Sequence, residues 1–369
     1  MKGVNWLGSA ALAALSLIAP VSANDVHFNG FVSVIGGKVL DGREQQYGEF
    51  TCPCFIADYP FVGVYSEDWT FDAETTLGLQ ANMTITDRLS ATAQLVSHGS
   101  LGYNINIDWA YLSYNLDDRF TLQAGRKRAP LFYYSDFFDV GYALPWIRAP
   151  GDLYGWQIVS YEGANLLYTG TWGAVNVTAN VWYGSDEDKN NEELSRIYYL
   201  AQVDETWKDQ IGVYFDFNYD WLTLRVVYMQ NKVDRLIYDE VPPRQRLQDV
   251  KQKFAGVTLN IDWQNLVFRS EYNTFDRPSE DNTYYASLVG VGYRLGDWLP
   301  MISYSEFEEE AGLWPDEVEL HETMSFSLRW DFTPSAAFKL QYDDFVDNTR
   351  GDWFVGDSET LSLGIDVVF

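Results

Sequence analysis

The feature that most constrains this chain is an alternation of apolar and polar residues with a period of two. Between positions 361 and 369 every odd position is apolar, and Thr360, Ser362 and Asp366 lie at even positions. Successive side chains of a β-strand point to opposite faces, so this pattern predicts a strand with one apolar and one polar face. The same alternation predicts strands over 68–86, 211–219 and 324–332. A change of parity between Ile107 and Ala110 indicates a β-bulge near Trp109.

The connections between these segments alternate between short and long. Seven tight polar turns are predicted at 86–88, 117–119, 171–173, 219–221, 263–265, 296–298 and 333–335. Eight mostly longer loops are predicted at 41–65, 98–104, 128–159, 184–209, 232–252, 275–283, 306–320 and 344–357. Together they join 16 strands and place both termini on the side of the short turns. This arrangement is typical of outer-membrane barrels, so we predict an all-β fold, a 16-stranded antiparallel transmembrane β-barrel.

The first residues predict export from the cytoplasm. Lys2 precedes a mostly apolar run over 6–18, and small residues follow up to Ala23. A positive start, a short apolar run and a small-residue site are the marks of a secretory signal peptide, and the run is short for a membrane anchor. We therefore expect a signal peptide over 1–23 and one barrel domain over 24–369.

Charge and residue types exclude several functions. The chain has 25 Lys and Arg against 53 Asp and Glu, a net charge of −28, which argues against a nucleic-acid partner. The three histidines, His27, His98 and His321, form no evident set of nucleophile, base and orienting acid, so we expect no enzyme. No spacing of ligands indicates a metal or another cofactor. Cys52 and Cys54 are separated by one proline; a disulfide between them is possible, although it would close a tight ring.

The longest predicted loop, 128–159, carries many aromatic residues, prolines and charges of both signs. A connection of this length and apolar content is unusual on a solvated surface. A barrel of 16 strands leaves a water-filled bore that such a loop can enter and narrow. We therefore expect the third loop to fold into the pore.

With these features the sequence resembles the Gram-negative outer-membrane porins over the whole mature chain. The resemblance is most specific at Gly125-Arg126 through Pro130, Tyr134-Ser135-Asp136, Asp139-Val140-Gly141, Pro145-Trp146 and the terminal Phe369. It implies an outer-membrane location among lipid and lipopolysaccharide, a third loop that forms the pore constriction, and recognition of Phe369 by the barrel-assembly machinery. It also implies a homotrimer, although the second loop, 98–104, is shorter than the loop that joins neighbours in classical trimers.

The resemblance and strand parity together give the candidate site. The loop residues carried over as constriction candidates are Asp136, Asp139, Arg148 and Asp152, and the residues at the end of the fifth strand are Arg126, Lys127 and Arg128. Parity places Arg225, Arg269, Arg329 and Lys339 on the polar faces that form the pore wall. Two alternatives stay open: a wall base can simply neutralise a neighbour such as Glu271 or Asp262, and Asp136 and Asp139 can cap turns within the loop.

The predicted function is an outer-membrane porin that allows passive diffusion of small hydrophilic solutes and ions. A substrate-selective channel is the alternative, with a saturable site formed by Tyr133, Tyr134, Tyr142 and Trp146. A barrel sheath or structural anchor without pore activity is a further alternative. The lumen acids Asp72, Glu74, Asp216, Asp262 and Asp366 outnumber the four wall bases, which predicts a modest preference for cations.

Overall fold

A computed structural model describes residues 25–312, 316, 318–351 and 355–369. The predicted signal peptide lies outside the described residues. In chain order the strands are β1 (Asp25–Gly42), β2 (Gln45–Tyr47), β3 (Phe50–Cys52), β4 (Phe55–Asp58), β5 (Gly63–Tyr65), β6 (Thr76–Thr84), β7 (Leu89–His98), β8 (Ile105–Asn115), β9 (Phe120–Arg128), β10 (Ser160–Trp172), β11 (Val175–Asp188), β12 (Val203–Tyr219), β13 (Leu222–Ile237), β14 (Arg244–Trp263), β15 (Leu266–Arg277), β16 (Asn282–Tyr293), β17 (Trp298–Ala311), β18 (Leu320–Thr333), β19 (Ala336–Asp347) and β20 (Ser358–Val368).

Sixteen of these strands form one closed antiparallel barrel, which confirms the predicted fold. β1 pairs with β20 on one side and with β6 on the other, so the barrel has no free edge. The remaining four strands form two small hairpins, β2–β3 and β4–β5, within the first long connection. The described helices are short: Gly99–Leu101, Ser135–Phe137, Gly141–Ala143, Gly151–Tyr154 and Leu194–Tyr198. None of them is long and apolar enough to span a membrane.

The barrel wall has its apolar residues on the outer face and its polar residues on the inner face, the reverse of a soluble protein. On the outer face Phe28 and Ile105 are 64% and 72% exposed, whereas Thr360 and Asp366 on the inner face are 0% exposed. This follows from the period-two sequence, because a transmembrane barrel places its apolar residues against lipid. Exposed aromatic rings gather at the short-turn ends of the strands, where Trp298 and Trp330 stack with 5.2 Å between their centroids.

All seven predicted tight turns join adjacent strands, but several strands are longer than the sequence predicts. The segment predicted as a loop over 232–252 is mostly strand, because β13 continues to Ile237 and β14 begins at Arg244. Charged residues at these strand ends made the segment look like a loop. The bulge near Trp109 is confirmed: Gln94 pairs with Trp109 and Leu95 with Ile107, so Asp108 has no partner in the ladder.

The strand predicted over 68–86 is wrong in its first half. β6 begins only at Thr76, and the chain before it turns irregularly. The tertiary structure redirects this segment, since the carboxylate of Glu74 accepts hydrogen bonds from Arg148 Nε at 2.6 Å and from Tyr65 Oη at 2.6 Å. Alternating apolar residues therefore continue past the point where the ladder ends.

The two larger apolar clusters join long connections to strands of the barrel. The larger one joins the connection 129–159, through residues such as Trp146, Leu153 and Trp156, to strands β10–β17, through residues such as Trp182 and Phe254. The smaller one joins the hairpins of the first connection to β1 and β19. Cys52 and Cys54 lie in the smaller cluster and form a disulfide, which decides the alternative that the sequence left open.

Candidate functional site

The candidate site begins where β9 ends. Gly125 has a φ of +141°, and a Cβ added there would collide with the carbonyl oxygen of Ala110. Only glycine accepts this approach easily. Arg126 and Lys127 follow on opposite faces of β9. Arg126 bonds to Asp186 at 2.8 Å and to the exposed Glu162 at 3.4 Å, so the structure does not bring Arg126 to the loop acids.

Arg128 and Asp139 form a buried ion pair rather than a free charge at the pore. The guanidinium of Arg128 contacts Asp139, which comes from the third loop, and also Asp108 at 3.2 Å. His98 Nε2 lies 3.6 Å from Asp139 Oδ1. This group ties the start of the loop to the unpaired bulge of β8, because a buried charge requires a partner of opposite sign.

Arg148 and Asp152 likewise attach the loop to the wall. Arg148 forms ion pairs with Glu74 and Asp343, and its Nη2 donates a 2.5 Å hydrogen bond to Ser362. Asp152 lies 2.5 Å from His321 Nδ1 and accepts a hydrogen bond from Ser305 on β17. Both candidate residues are buried, so neither presents a free charge to a passing solute.

Three wall bases each bridge an acid of the barrel wall, on the same or the adjacent strand, and the backbone of the loop. Arg225 binds Asp216 at 2.6 Å and donates to the carbonyl oxygen of Phe132 at 3.1 Å. Arg329 binds Asp331 at 2.7 Å and donates to the carbonyl oxygens of Tyr142 and Leu144.

Lys339 binds Asp366 at 2.8 Å and donates to the carbonyl oxygens of Gly141 and Trp146, both at 2.6 Å. Arg225, Arg329 and Lys339 are buried on the inner face of their strands. Each cationic group is bonded both to an acid and to the backbone of the loop.

Arg269 is satisfied within the wall, as one of the open alternatives allowed. It binds Asp262 at 2.9 Å and donates to the carbonyl oxygen of Phe268 at 2.8 Å. The predicted excess of lumen acids disappears for the same reason, because Glu74, Asp216, Asp262 and Asp366 each have a cationic partner. Asp72 is exposed in the irregular segment before β6, where it accepts a hydrogen bond from Tyr103.

Two candidates form no ion pair among the described residues, and both face the same open space. Lys127 on β9 and Asp136 on the loop both line a cavity of about 180 Å³. Asp136 is exposed and forms no ion pair or hydrogen bond with any described residue. The Lys127 ammonium is 2.5 Å from Gln123 Oε1 and 4.8 Å from the centre of the Tyr111 ring. The cavity therefore separates an acid of the loop from a base of the wall.

Around Lys127, the strands on this side of the barrel are rich in amides. Gln94 donates to Gln80 at 3.1 Å across β6 and β7. Further along, Asn165 donates to Gln123 at 3.1 Å and to Asn180 at 3.0 Å, which continues the series to β11. Amides both donate and accept hydrogen bonds, so this wall can solvate polar solutes of either charge.

Sequence reasoning missed several residues of the site. Asp343 lies two positions after Gln341 and four after Lys339, so strand parity alone would have placed it on the inner face. The partner of Arg128, Asp108, gave no such signal because it occupies the bulge. Of the aromatics proposed for a selective site, Tyr134 and Trp146 are buried in the apolar cluster, and Tyr142 packs on Arg329. Among the described residues no group could hold a metal ion.

The family model of the Gram-negative porins matches residues 8–363, so the chain belongs to this family. It is accordingly a porin of the Gram-negative outer membrane. No curated protein matches the chain in sequence.

Solved structures agree with the barrel fold at low identity. The outer membrane channel DcaP of Acinetobacter baumannii has a TM-score of 0.61 at 12% identity, over 94% of this chain and 97% of that one. Salmonella typhi OmpF in complex with daunomycin has a TM-score of 0.60 at 12% identity, over 94% and 98%. The trimer form of OmpT, an outer membrane protein of Vibrio cholerae, has a TM-score of 0.55 at 12% identity, over 94% and 99%.

Proposed function

We propose that this porin allows passive diffusion of small hydrophilic solutes and ions, and that the connection 129–159 narrows its bore. The contacts of this connection with bases on β13, β18 and β19 support an inward fold, because those side chains leave the inner face. The passage then lies on the opposite side, between Asp136 and strands β8–β12. The cavity shared by Asp136 and Lys127 is the observation that carries the proposal.

An acid and a base on opposite sides of a narrow passage create a transverse electric field. Such a field orients water and dipolar solutes, and its strength rises where the walls exclude water. Apolar solutes cannot replace the oriented water, so they pass less readily. This arrangement needs no cofactor and no chemical step, in keeping with a channel that is not an enzyme.

Single-channel recording in planar bilayers tests the pair. Asp136→Asn should shift the reversal potential in a salt gradient toward anions, and Lys127→Gln should shift it toward cations, because each removes one charge from the passage. Asp118→Asn, in an exposed short turn, is the matched control and should change neither. Wild-type selectivity in both site variants would remove the pair from the conducting path.

The alternatives make different predictions. A sheath or anchor without pore activity would give no conductance in the same bilayers. An enzyme would require a base beside a nucleophile, but Asp152 lies between Ser305 and His321, and the second imidazole nitrogen faces Glu319 at 3.4 Å. The imidazole is therefore not placed to take the proton of Ser305.

The surroundings of the mature barrel, which we take as 24–369, follow from the same proposal. Its exposed apolar band would contact outer-membrane lipid, and its acidic external loops would lie beside lipopolysaccharide. Phe369 is 70% exposed at the end of the β1–β20 seam, where an assembly machinery can reach it. The trimer form of OmpT supports a homotrimer here too, which the mass of the detergent-solubilised protein would test.

A further inference from the structure

A second, larger cavity lies on the external side of the third loop. Its volume is about 670 Å³, within the range of about 300–1,000 Å³ that is usual for small-molecule sites. Its floor includes Trp156, and the external ends of β15–β17 supply Arg277, Tyr284 and Phe307. The rings of Trp156 and Tyr284 lie 5.3 Å apart and those of Tyr284 and Phe307 lie 5.9 Å apart.

Arg277 differs from the other buried arginines around the pore. Its Nε donates to Gln252 at 2.7 Å, but its buried Nη2 has no hydrogen-bond partner among the described residues. By contrast, Arg235 in the same cavity is held by Glu205 at 2.7 Å. Arg277 is 6% exposed, and a buried guanidinium without a carboxylate is costly unless an anion binds to it.

The carboxylates of this cavity are already bonded to other groups, so none of them serves as the anionic partner of Arg277. Glu309 accepts hydrogen bonds from Asn282 at 2.7 Å and from the backbone of Glu319 at 3.0 Å. Glu280 pairs with Arg246 at 3.4 Å on the rim. The cavity thus offers one unsatisfied cation beside aromatic faces, rather than an unsatisfied acid.

We propose that this cavity binds aromatic carboxylates before they enter the pore. The carboxylate would bind the unpartnered Nη2 of Arg277, whose guanidinium carbon lies 5.5 Å from the Tyr284 ring centre. The aromatic body would lie against Tyr284 and Trp156, since aromatic rings favour stacked and edge-on contacts. The inference rests on the proposed pore function and names a class of solute that the pore would retain.

Block of the single-channel current by added solutes tests this site in the wild-type protein. Benzoate on the external side should reduce the current in a saturable way, and cyclohexanecarboxylate, acetate and benzylamine should do so at least tenfold more weakly. Equal block by cyclohexanecarboxylate would overturn the role of the rings, and stronger block by benzylamine would overturn the role of Arg277.

Substitutions test whether Arg277 forms the binding site. Arg277→Gln should weaken block by benzoate at least tenfold, because it removes the charge-assisted hydrogen bonds. Arg246→Gln, at the exposed and paired rim arginine, is the control and should change block less than twofold. If Arg277→Gln does not fold, Tyr284→Leu keeps the charge and should weaken block by benzoate but not by acetate.

The results separate the two proposals. Normal conductance without block by any carboxylate would overturn the binding site and leave the porin function standing. Absence of conductance would contradict the porin function itself.

Discussion

At Arg148 a single guanidinium joins three parts of the chain: the third loop, the segment before β6, and strands β19 and β20. Removing one partner of a buried ion pair lowers stability by more than the intact pair contributes, because the remaining charge is buried without a partner. Here two carboxylates, those of Glu74 and Asp343, would be left together. The contacts of this residue therefore bear on stability more than on solute charge.

Arg148→Gln should accordingly lower the free energy of unfolding by about 3–5 kcal/mol, the usual range for a broken buried pair. Unfolding in urea, followed by tryptophan fluorescence in detergent micelles, measures this change. Arg119→Gln, at an exposed short turn, should stay within about 0.5 kcal/mol of the wild type. An equal effect of the two substitutions would contradict the anchoring role.

The sequence predicts which face a wall residue occupies but not what it touches. Parity depends only on the strand that carries the residue, so the inner position of Lys339 was predictable. Its bonds to the carbonyls of Gly141 and Trp146 were not, because they depend on the path of a loop that is distant in sequence. For the same reason the sequence could not distinguish Asp136 from Asp139, three residues later. The carboxylate of Asp136 is exposed, whereas that of Asp139 forms an ion pair with Arg128.

Among the elements, the connection between β11 and β12 carries a pH-sensitive group. Burial raises the pKa of the Glu193 carboxyl from 4.5 to about 8, with repulsion from Glu319 adding to the rise. Its Oε1 accepts a hydrogen bond from Gln157 of the third loop at 2.8 Å. The folded state therefore holds this proton more tightly than the unfolded chain does.

A raised carboxyl pKa favours the folded connection at low pH. The contribution of the Glu193 carboxyl to the stability of the folded connection is complete below about pH 4.5, and it is lost as the pH rises to about 8. Hydrogen exchange of peptides from 189–202, corrected for the intrinsic rate, should show weaker protection at pH 8.5 than at pH 5.5. Glu193→Gln should remove most of this difference in protection, and the control Glu192→Gln should keep it. An equal pH dependence of protection in the two variants would contradict the role of Glu193.

Element boundaries were harder to predict than element number. The alternation over 69–75 continues the pattern of β6, yet Glu74 is drawn away by the loop and the ladder starts only at Thr76. In the opposite direction, β13 and β14 continue through charged residues because pairing at a barrel rim does not require apolar side chains. The bulge was predictable, because a parity change has few other causes.

For the whole molecule, the net charge of −28 and the charge of the pore are separate quantities. The wall acids named above are neutralised by wall and loop bases, whereas Glu306, Glu308 and Glu310 lie on β17 near its external end. Exposed charges act over a Debye length, which is about 10 Å in 0.1 M salt and about 3 Å in 1 M salt.

The cation preference should therefore depend on salt. We expect a modest preference in 0.1 M salt that shrinks in 1 M salt, measured as the permeability ratio from reversal potentials. Glu308→Gln combined with Glu310→Gln should reduce the ratio at 0.1 M and leave it unchanged at 1 M. A ratio that is the same at both concentrations would assign the preference to the passage itself.

The uneven apolar packing along the barrel strands has a mechanical consequence. Strands β10–β17 contact the packed aromatic and aliphatic side chains of the third loop, whereas β6, β7 and β9 carry hydrogen-bonded amides such as Gln80, Gln94 and Gln123. A densely packed layer resists deformation more than a hydrated one does. Thermal breathing of the cylinder should therefore concentrate in the β6–β9 arc, so that the barrel has one stiff side and one compliant side.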